Sequence, residues 1–361
     1  MKKYLILAAV ALVASAACTK VEDTTPAHKI SFEVAGYMAQ TKAMTTTELE
    51  GSFTTNAWFT NGDGGKTQFM TNETISWNSP VSGQWAPSRE YFWPKTGFID
   101  FYSYDGVPAP STVAEGYLVY TDKTIAATDN ILVADAAFHQ TQNSSTYHID
   151  DANVKGVPTL FRHMLAKIQF KVKVATTDAK KTPNTKWDVT ILNADTKLSN
   201  IVILNKGTLT LSNSYASSAT QAWTNANATN PNVGWVAAAG TETVSTLTPS
   251  LTLAKNATES GDYVDLIALR AVMPQVLGDD AVFTLNYNVK ATYGEDATAY
   301  LDENRSFSVK INTIDSITEW DMNQIITYNV IIDPVGEQIF FDPAVEEWDE
   351  SQTGTINVPQ A

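Results

Sequence analysis

Cys18 is the only thiol in the chain, and it ends the run Val13-Ala14-Ser15-Ala16-Ala17-Cys18. Lys2 and Lys3 precede an apolar stretch from Tyr4 to Val13. About ten residues are too few to span a bilayer and suit the core of a secretory leader. Small residues ahead of a cysteine predict acylation of its sulfur, with residues 1–18 read as a lipoprotein signal peptide. A disulfide-bonded role fails because no second cysteine exists. Attachment would then rest on lipid, whose buried methylenes contribute about 0.8 kcal/mol each.

The other residues able to do chemistry are scattered. Histidines stand at 28, 139, 148 and 163. His139 and His148 would need Asp150 or Asp151 to complete a metal site, and nothing in the spacing puts them on one face. His163, beside a strand start, reads as a structural histidine. Asp63 lies between glycines in Asn61-Gly62-Asp63-Gly64-Gly65, without the ordered oxygen ligands of a calcium loop, and reads as a turn. Glu346, Glu347, Asp349 and Glu350 flank Trp348. Glycosidase carboxylates face each other across a cleft, so these sequence neighbours read as a solvated edge. No nucleophile elbow, phosphate loop or HExxH pair occurs. The expectation is a protein that is not an enzyme, with no metal and no cofactor. Among nine tryptophans, Trp77, Trp85, Trp223 and Trp235 lie in polar sequence. Exposed, they would stack on sugars, giving the alternative of a surface glycan-binding lipoprotein of a polysaccharide-uptake system.

The net charge of −15 repels phosphate backbones and excludes nucleic-acid binding. Hydrophobic residues make up 43% of the 361 and aromatics 10%, ample for a core without disulfides. The Thr-, Ser- and Asn-rich remainder suits an exported all-β chain.

These residues must be positioned by strands. Residues 19–27 read as a polar tether. Ile30, Phe32 and Val34 alternate with polar residues, the period of a half-buried strand. Lys42 falls in a Thr-rich stretch with no buried pattern and is expected in an accessible loop. Residues 57–60, 99–104 and 131–134 read as strands. From Ala166, the positions Ile168, Phe170, Val172 and Val174 share one face against lysines on the other. Later strands are expected at 187–192, 198–204, 208–211, 262–273, 281–292, 305–311, 325–332, 338–341 and 355–358, with one helical turn near 317–320. Many short strands at such spacing predict β-sandwiches: an N-terminal one over 28–160 and a C-terminal one over 161–361.

Several segments, in order, resemble the fimbrillin family of Bacteroidales, the type V pilins and their Mfa-like relatives. They are Tyr91-Phe92-Trp93-Pro94 with Ile99 to Tyr104, Phe161 to Ile168, Asn323 to Ile332, and a last strand ending Val345-Glu346-Glu347-Trp348. The resemblance implies two transthyretin-like β-sandwiches in tandem, and a cell-surface fimbria held at the outer membrane by the lipid on Cys18. It implies removal of a first strand containing Ile30, Phe32 and Val34, through proteolysis after Lys42. It also implies donor-strand exchange, in which Ile339, Phe341, Val345 and Trp348 enter a neighbour, within a donor segment running from Glu337 to Val358. Partners would be other fimbrial subunits, self or paralogous, and a host or bacterial surface ligand.

Overall fold

The computed structural model describes residues 29–36, 51–79, 84–142, 156–175, 184–192, 196–199, 201, 203–204, 206–213, 224–225, 235–237, 241–242, 252–256, 263–294, 298–335 and 338–348. Among them there is no α-helix. The expected helical turn near 317–320 is instead a single 3-10 turn at Ile311–Thr313, while Glu319–Trp320 is extended.

The first ten strands are β1 (Phe32–Gly36), β2 (Ser52–Thr60), β3 (Lys66–Ser79), β4 (Gln84–Pro87), β5 (Phe98–Val107), β6 (Thr112–Ala114), β7 (Tyr117–Thr124), β8 (Asn130–Ala134), β9 (Ala137–Gln140) and β10 (Val157–His163). Seven of them close on themselves in the order β2-β3-β4-β1-β10-β8-β5, with β5 pairing back to β2 and β9 added outside β5. The expected N-terminal sandwich is therefore corrected to a closed ring. Closure removes free sheet edges, and inward side chains fill the middle. Ile30, Phe32, Val34, Phe53, Ile75, Trp85, Phe101 and Phe161 are all buried there.

The remaining strands are β11 (Ala166–Val174), β12 (Thr185–Ile191), β13 (Lys197–Ser199), β14 (Ile203–Leu204), β15 (Lys206–Ser212), β16 (Thr224–Asn225), β17 (Trp235–Ala237), β18 (Thr241–Glu242), β19 (Thr252–Asn256), β20 (Val264–Val272), β21 (Gln275–Val276), β22 (Val282–Tyr293), β23 (Ala299–Lys310), β24 (Glu319–Trp320), β25 (Gln324–Asp333), β26 (Gln338–Phe341) and β27 (Ala344–Glu347). One sheet runs β20-β11-β25, and β26 and β27 share the far edge of β25; the facing sheet runs β19-β12-β22-β23. Strict alternation along β11 buries Ile168, Phe170, Val172 and Val174 between them. Phe170 stacks on Phe283 of the facing sheet at 4.8 Å and on Tyr328 at 4.5 Å. Burial pushes the Tyr328 hydroxyl up to about 12, and it accepts the Trp320 indole N–H at 3.0 Å.

The chain passes from ring to sandwich at Met164–Leu165, between β10 and β11. A division at residue 160 would cut β10. The two halves are also stitched together, because β7 pairs with β15 of the second half over Tyr117–Thr124 and Lys206–Ser212. Beneath that sheet lies a shared core with Leu118, Tyr120, Met164, Leu165, Leu209, Leu211, Trp235, Met273 and Trp348.

Candidate strand-exchange site

The first strand sits inside the ring wall, not at an edge. β1 pairs in parallel with β10, Phe32 opposite Val157 through Gly36 opposite Phe161, and touches β4 only at Phe32 opposite Trp85. Alternate side chains of β1 and of the residues leading into it point into the ring: Ile30, just ahead of β1, and Phe32 and Val34 on it are at most 2% exposed. The Phe32 ring lies edge-on to Phe53 at 5.6 Å and to Phe101 at 5.5 Å. Removing β1 with its lead-in from Lys29 would open the ring, leave one edge of β10 unpaired and empty the three apolar seats of Ile30, Phe32 and Val34.

A polar clamp fixes the approach to β1. Glu73 of β3 is buried, and its carboxylate accepts the hydroxyls of Ser88 and Tyr91, the latter at 3.0 Å. Arg89 Nε lies 3.3 Å from the same carboxylate. Burial alone would raise the Glu73 carboxyl; the two hydroxyls and the Arg89 charge outweigh it and hold the group below the ordinary carboxylate range. Tyr91 in turn accepts the Ile30 N–H on its backbone carbonyl at 2.8 Å, while Lys29 pairs with Glu90. Gly156 lies against β1 from the β10 side. A Cβ there would meet Glu33 N at 2.6 Å and Phe32 C at 2.7 Å, so only glycine permits this approach.

The C-terminal segment lies on the outer edge of the second unit. β26 pairs antiparallel with the far end of β25, from Asp333 opposite Gln338 to Val330 opposite Phe341, and β27 with its near end, from Thr327 opposite Ala344 to Gln324 opposite Glu347. Asp342 and Pro343 separate the two strands, as a residue without an N–H requires. Ile339 and Phe341 are half-buried and Val345 is 49% exposed, but Trp348 is only 3% exposed. Its indole stacks on His163 at 4.1 Å and 7°, and the Lys167 ammonium lies 4.0 Å over the same ring.

Asn323 assembles this corner, and no sequence reasoning assigned it a role. It takes a left-handed backbone at φ 64°, which asparagine tolerates better than most side chains. Its N–H donates to Leu165 O at 3.0 Å, its Oδ1 accepts the His163 N–H at 3.1 Å, and its carbonyl accepts the Trp348 N–H at 2.8 Å. His163 Nδ1 lies 2.7 Å from Asn130 Oδ1, which can only accept, so the neutral ring carries its proton on Nδ1. Burial, and secondarily the Lys167 charge, push the His163 ring well below its ordinary value. The signal in the sequence was Asn323 standing just ahead of an alternating strand, a position that suits a left-handed residue.

The other sequence candidates fall elsewhere. His139 donates its N–H to Asp100 at 2.7 Å and packs its ring on Phe98 at 3.8 Å. No group of three or more metal-binding side chains occurs among the described residues. Asp63 lies in a turn organised by Asn61, whose Oδ1 accepts the N–H groups of Asp63 and Gly65 at 3.0 and 2.7 Å. Trp77 and Trp85 lie on strands and not in loops; Trp85 is in the ring core and Trp77 packs on it at 5.6 Å. Trp235 is also buried, and its indole N–H donates to Met164 O at 2.8 Å. These three are not an exposed sugar platform. Cys18, His28, Lys42, His148, Asp150, Asp151, Trp223, Asp349, Glu350 and the strand expected at 355–358 lie outside the described residues.

No curated protein sequence matches the chain. Among solved structures, a fimbrial protein from Bacteroides vulgatus is similar at a TM-score of 0.50 and 18% identity, over 89% of this chain and 100% of that one. A candidate cell adhesion protein from Bacteroides uniformis is similar at a TM-score of 0.43 and 12% identity, over 89% and 99%. At such identities the likeness to the first is one of fold. The sequence model of the fimbrillin-like proteins matches residues 41–348, and the chain thus belongs to the fimbrillin-like family.

Proposed function

We propose that this chain is a structural, adhesive subunit of a cell-surface fimbria. It is exported as a lipoprotein acylated at Cys18, held at the outer membrane, and assembled with other subunits by strand exchange after proteolysis at Lys42. The supporting observation is the seat of β1 and its lead-in, a parallel strand within a ring wall where Ile30, Phe32 and Val34 are fully buried.

Those side chains contribute about 1.5–3 kcal/mol each. While the connection from β1 to β2 is intact, the strand competes for its own seat at an effective concentration of millimolar or more. A cut after Lys42, between β1 and β2, removes that advantage. An incoming strand then satisfies both the free edge of β10 and the vacated seats. The C-terminal segment suits the seat because Ile339 and Phe341 repeat the two-residue spacing of Ile30 and Phe32. In that register Phe341 takes the place of Phe32, and Pro343 follows in the Val34 seat. The role is structural and not catalytic.

The test is limited trypsin treatment of purified protein, followed by N-terminal sequencing and an unboiled gel. Wild type is expected to start at Ala43 and give a ladder, and Lys42→Ala to stay monomeric. Ladders of normal intensity from Lys42→Ala would overturn this reading.

A further inference from the structure

We propose that Asn323 and His163 form a socket for Trp348 that holds the C-terminal segment in reserve on its own chain and sets how readily it leaves. The inference rests on the strand-exchange reading for its purpose, though not for its geometry.

Among the described residues of the segment, Trp348 is the one fully buried side chain; Ile339, Phe341 and Val345 are half-buried or exposed. Its anchor is therefore concentrated in one residue. The socket is built from both halves of the chain: His163 ends β10, Lys167 lies on β11, and Asn323 precedes β25. Asn323 ties the backbones of His163, Leu165 and Trp348, so the indole is held against a fixed wall and not a loose surface. Asn323 and His163 are positioning residues. They act through Trp348, and Trp348 decides whether β26 and β27 stay on β25.

A pH profile reports on this socket. The indole covers one face of the His163 ring, so release of Trp348 returns that ring to water. Because burial and Lys167 keep the seated ring neutral, the seated state is fully favoured above the ordinary histidine value of 6.5 and loses ground as pH falls below it. The groups facing His163 are Asn130 from β8, Asn323 and Trp348, all uncharged, and Lys167 from β11. Asp321, two residues before Asn323, titrates with the opposite sign. Burial, then the charge of Glu319, raises it to about 6, so acid relieves its penalty and favours the folded form.

Hydrogen-exchange mass spectrometry on the purified, uncut protein tests the socket at pH 7.5 and 5.5, corrected for intrinsic exchange. Protection of residues 344–348 is expected to fall about tenfold in wild type, the ratio for one proton taken up a unit below 6.5. In His163→Gln the fall is expected to vanish. In Lys167→Met it is expected to shrink below tenfold, because the histidine, freed of a like charge, binds its proton more easily while seated. Wild-type protection that is independent of pH, or an equal fall in His163→Gln, would overturn the proposal. Ladder formation after trypsin separates it from the exchange reading: a pH-dependent socket in a protein that never forms ladders would leave the socket standing and remove strand exchange.

Discussion

The two ends of the folded chain are held in opposite ways. β1 lies within a closed ring, with Phe32, Val34 and the preceding Ile30 at most 2% exposed, yet only five registered pairs bind it to β10 and one to β4. The C-terminal segment has eight registered pairs with β25, in two groups of four, yet among its described residues only Trp348 is fully buried. Backbone pairing is recovered wherever a strand finds an edge. Side-chain burial is recovered only in a matching seat. The first end is thus specified by a seat of several side chains and the second by a ladder with the single anchor Trp348, and a strand with one anchor is the easier one to move.

The comparison breaks first at Phe32. Its ring is edge-on to Phe53 and Phe101 in the middle of the ring core. Phe32→Ala is expected to cost about 3–5 kcal/mol, read as a fall in the denaturant midpoint of the uncut protein. A loss below about 1.5 kcal/mol would mean that the ring holds together without its first strand, and that the seat is not what fixes β1.

This contrast was only half legible in the sequence. β1 and β11 could be read because Ile30, Phe32 and Val34, and every second position along β11, are buried with a period of two. β3 could not. It buries Met70, Glu73 and Ile75, positions that break the period, because Asn72 takes a left-handed backbone at φ 45° within the strand. The Asn56 side chain bonds Asn72 in both directions at 3.0 Å, stabilising this irregularity from the next strand. A pattern reader sees fourteen mostly polar residues there. Ring closure was illegible for a different reason: it depends on β5 meeting β2, a pairing that strand spacing does not determine. Trp348 was visible as an apolar residue among acids, but its partners His163 and Lys167 are more than 150 positions away.

The clamp on β1 gives the next effect in size. Glu73 lies below the ordinary carboxylate range when folded, so its contribution is complete above about 4.5 and is lost as pH falls through the folded value. Glu73→Gln is expected to cost about 1.5–3 kcal/mol at pH 7, the range for hydrogen bonds to a charged group. Most of this comes from the Ser88 and Tyr91 hydroxyls, since Arg89 is largely exposed and its charge is screened. The cost should shrink toward pH 3, so thermal melts of the two proteins should converge in acid. Parallel melting curves across that range would show that the carboxylate does not hold the Ser88–Tyr91 turn, and with it the entry to β1.

Gly156 tests the seat from its other side, with the smallest expected effect. A methyl group there meets backbone atoms of β1, which cannot swing aside as a side-chain end can. Gly156→Ala must therefore displace β1 from β10, at a cost of about 1–3 kcal/mol. Gly62→Ala is the control, because a Cβ there meets nothing within 4 Å, and its effect should stay within about 0.5 kcal/mol. The informative readout is where the change appears. Hydrogen exchange should rise in residues 29–36 and 157–161 while 324–333 stays as in wild type, because β25 shares no pairing with either strand. A uniform rise over all three segments would mean that β1 does not yield separately from the rest of the fold, and a strand that cannot yield separately cannot be exchanged.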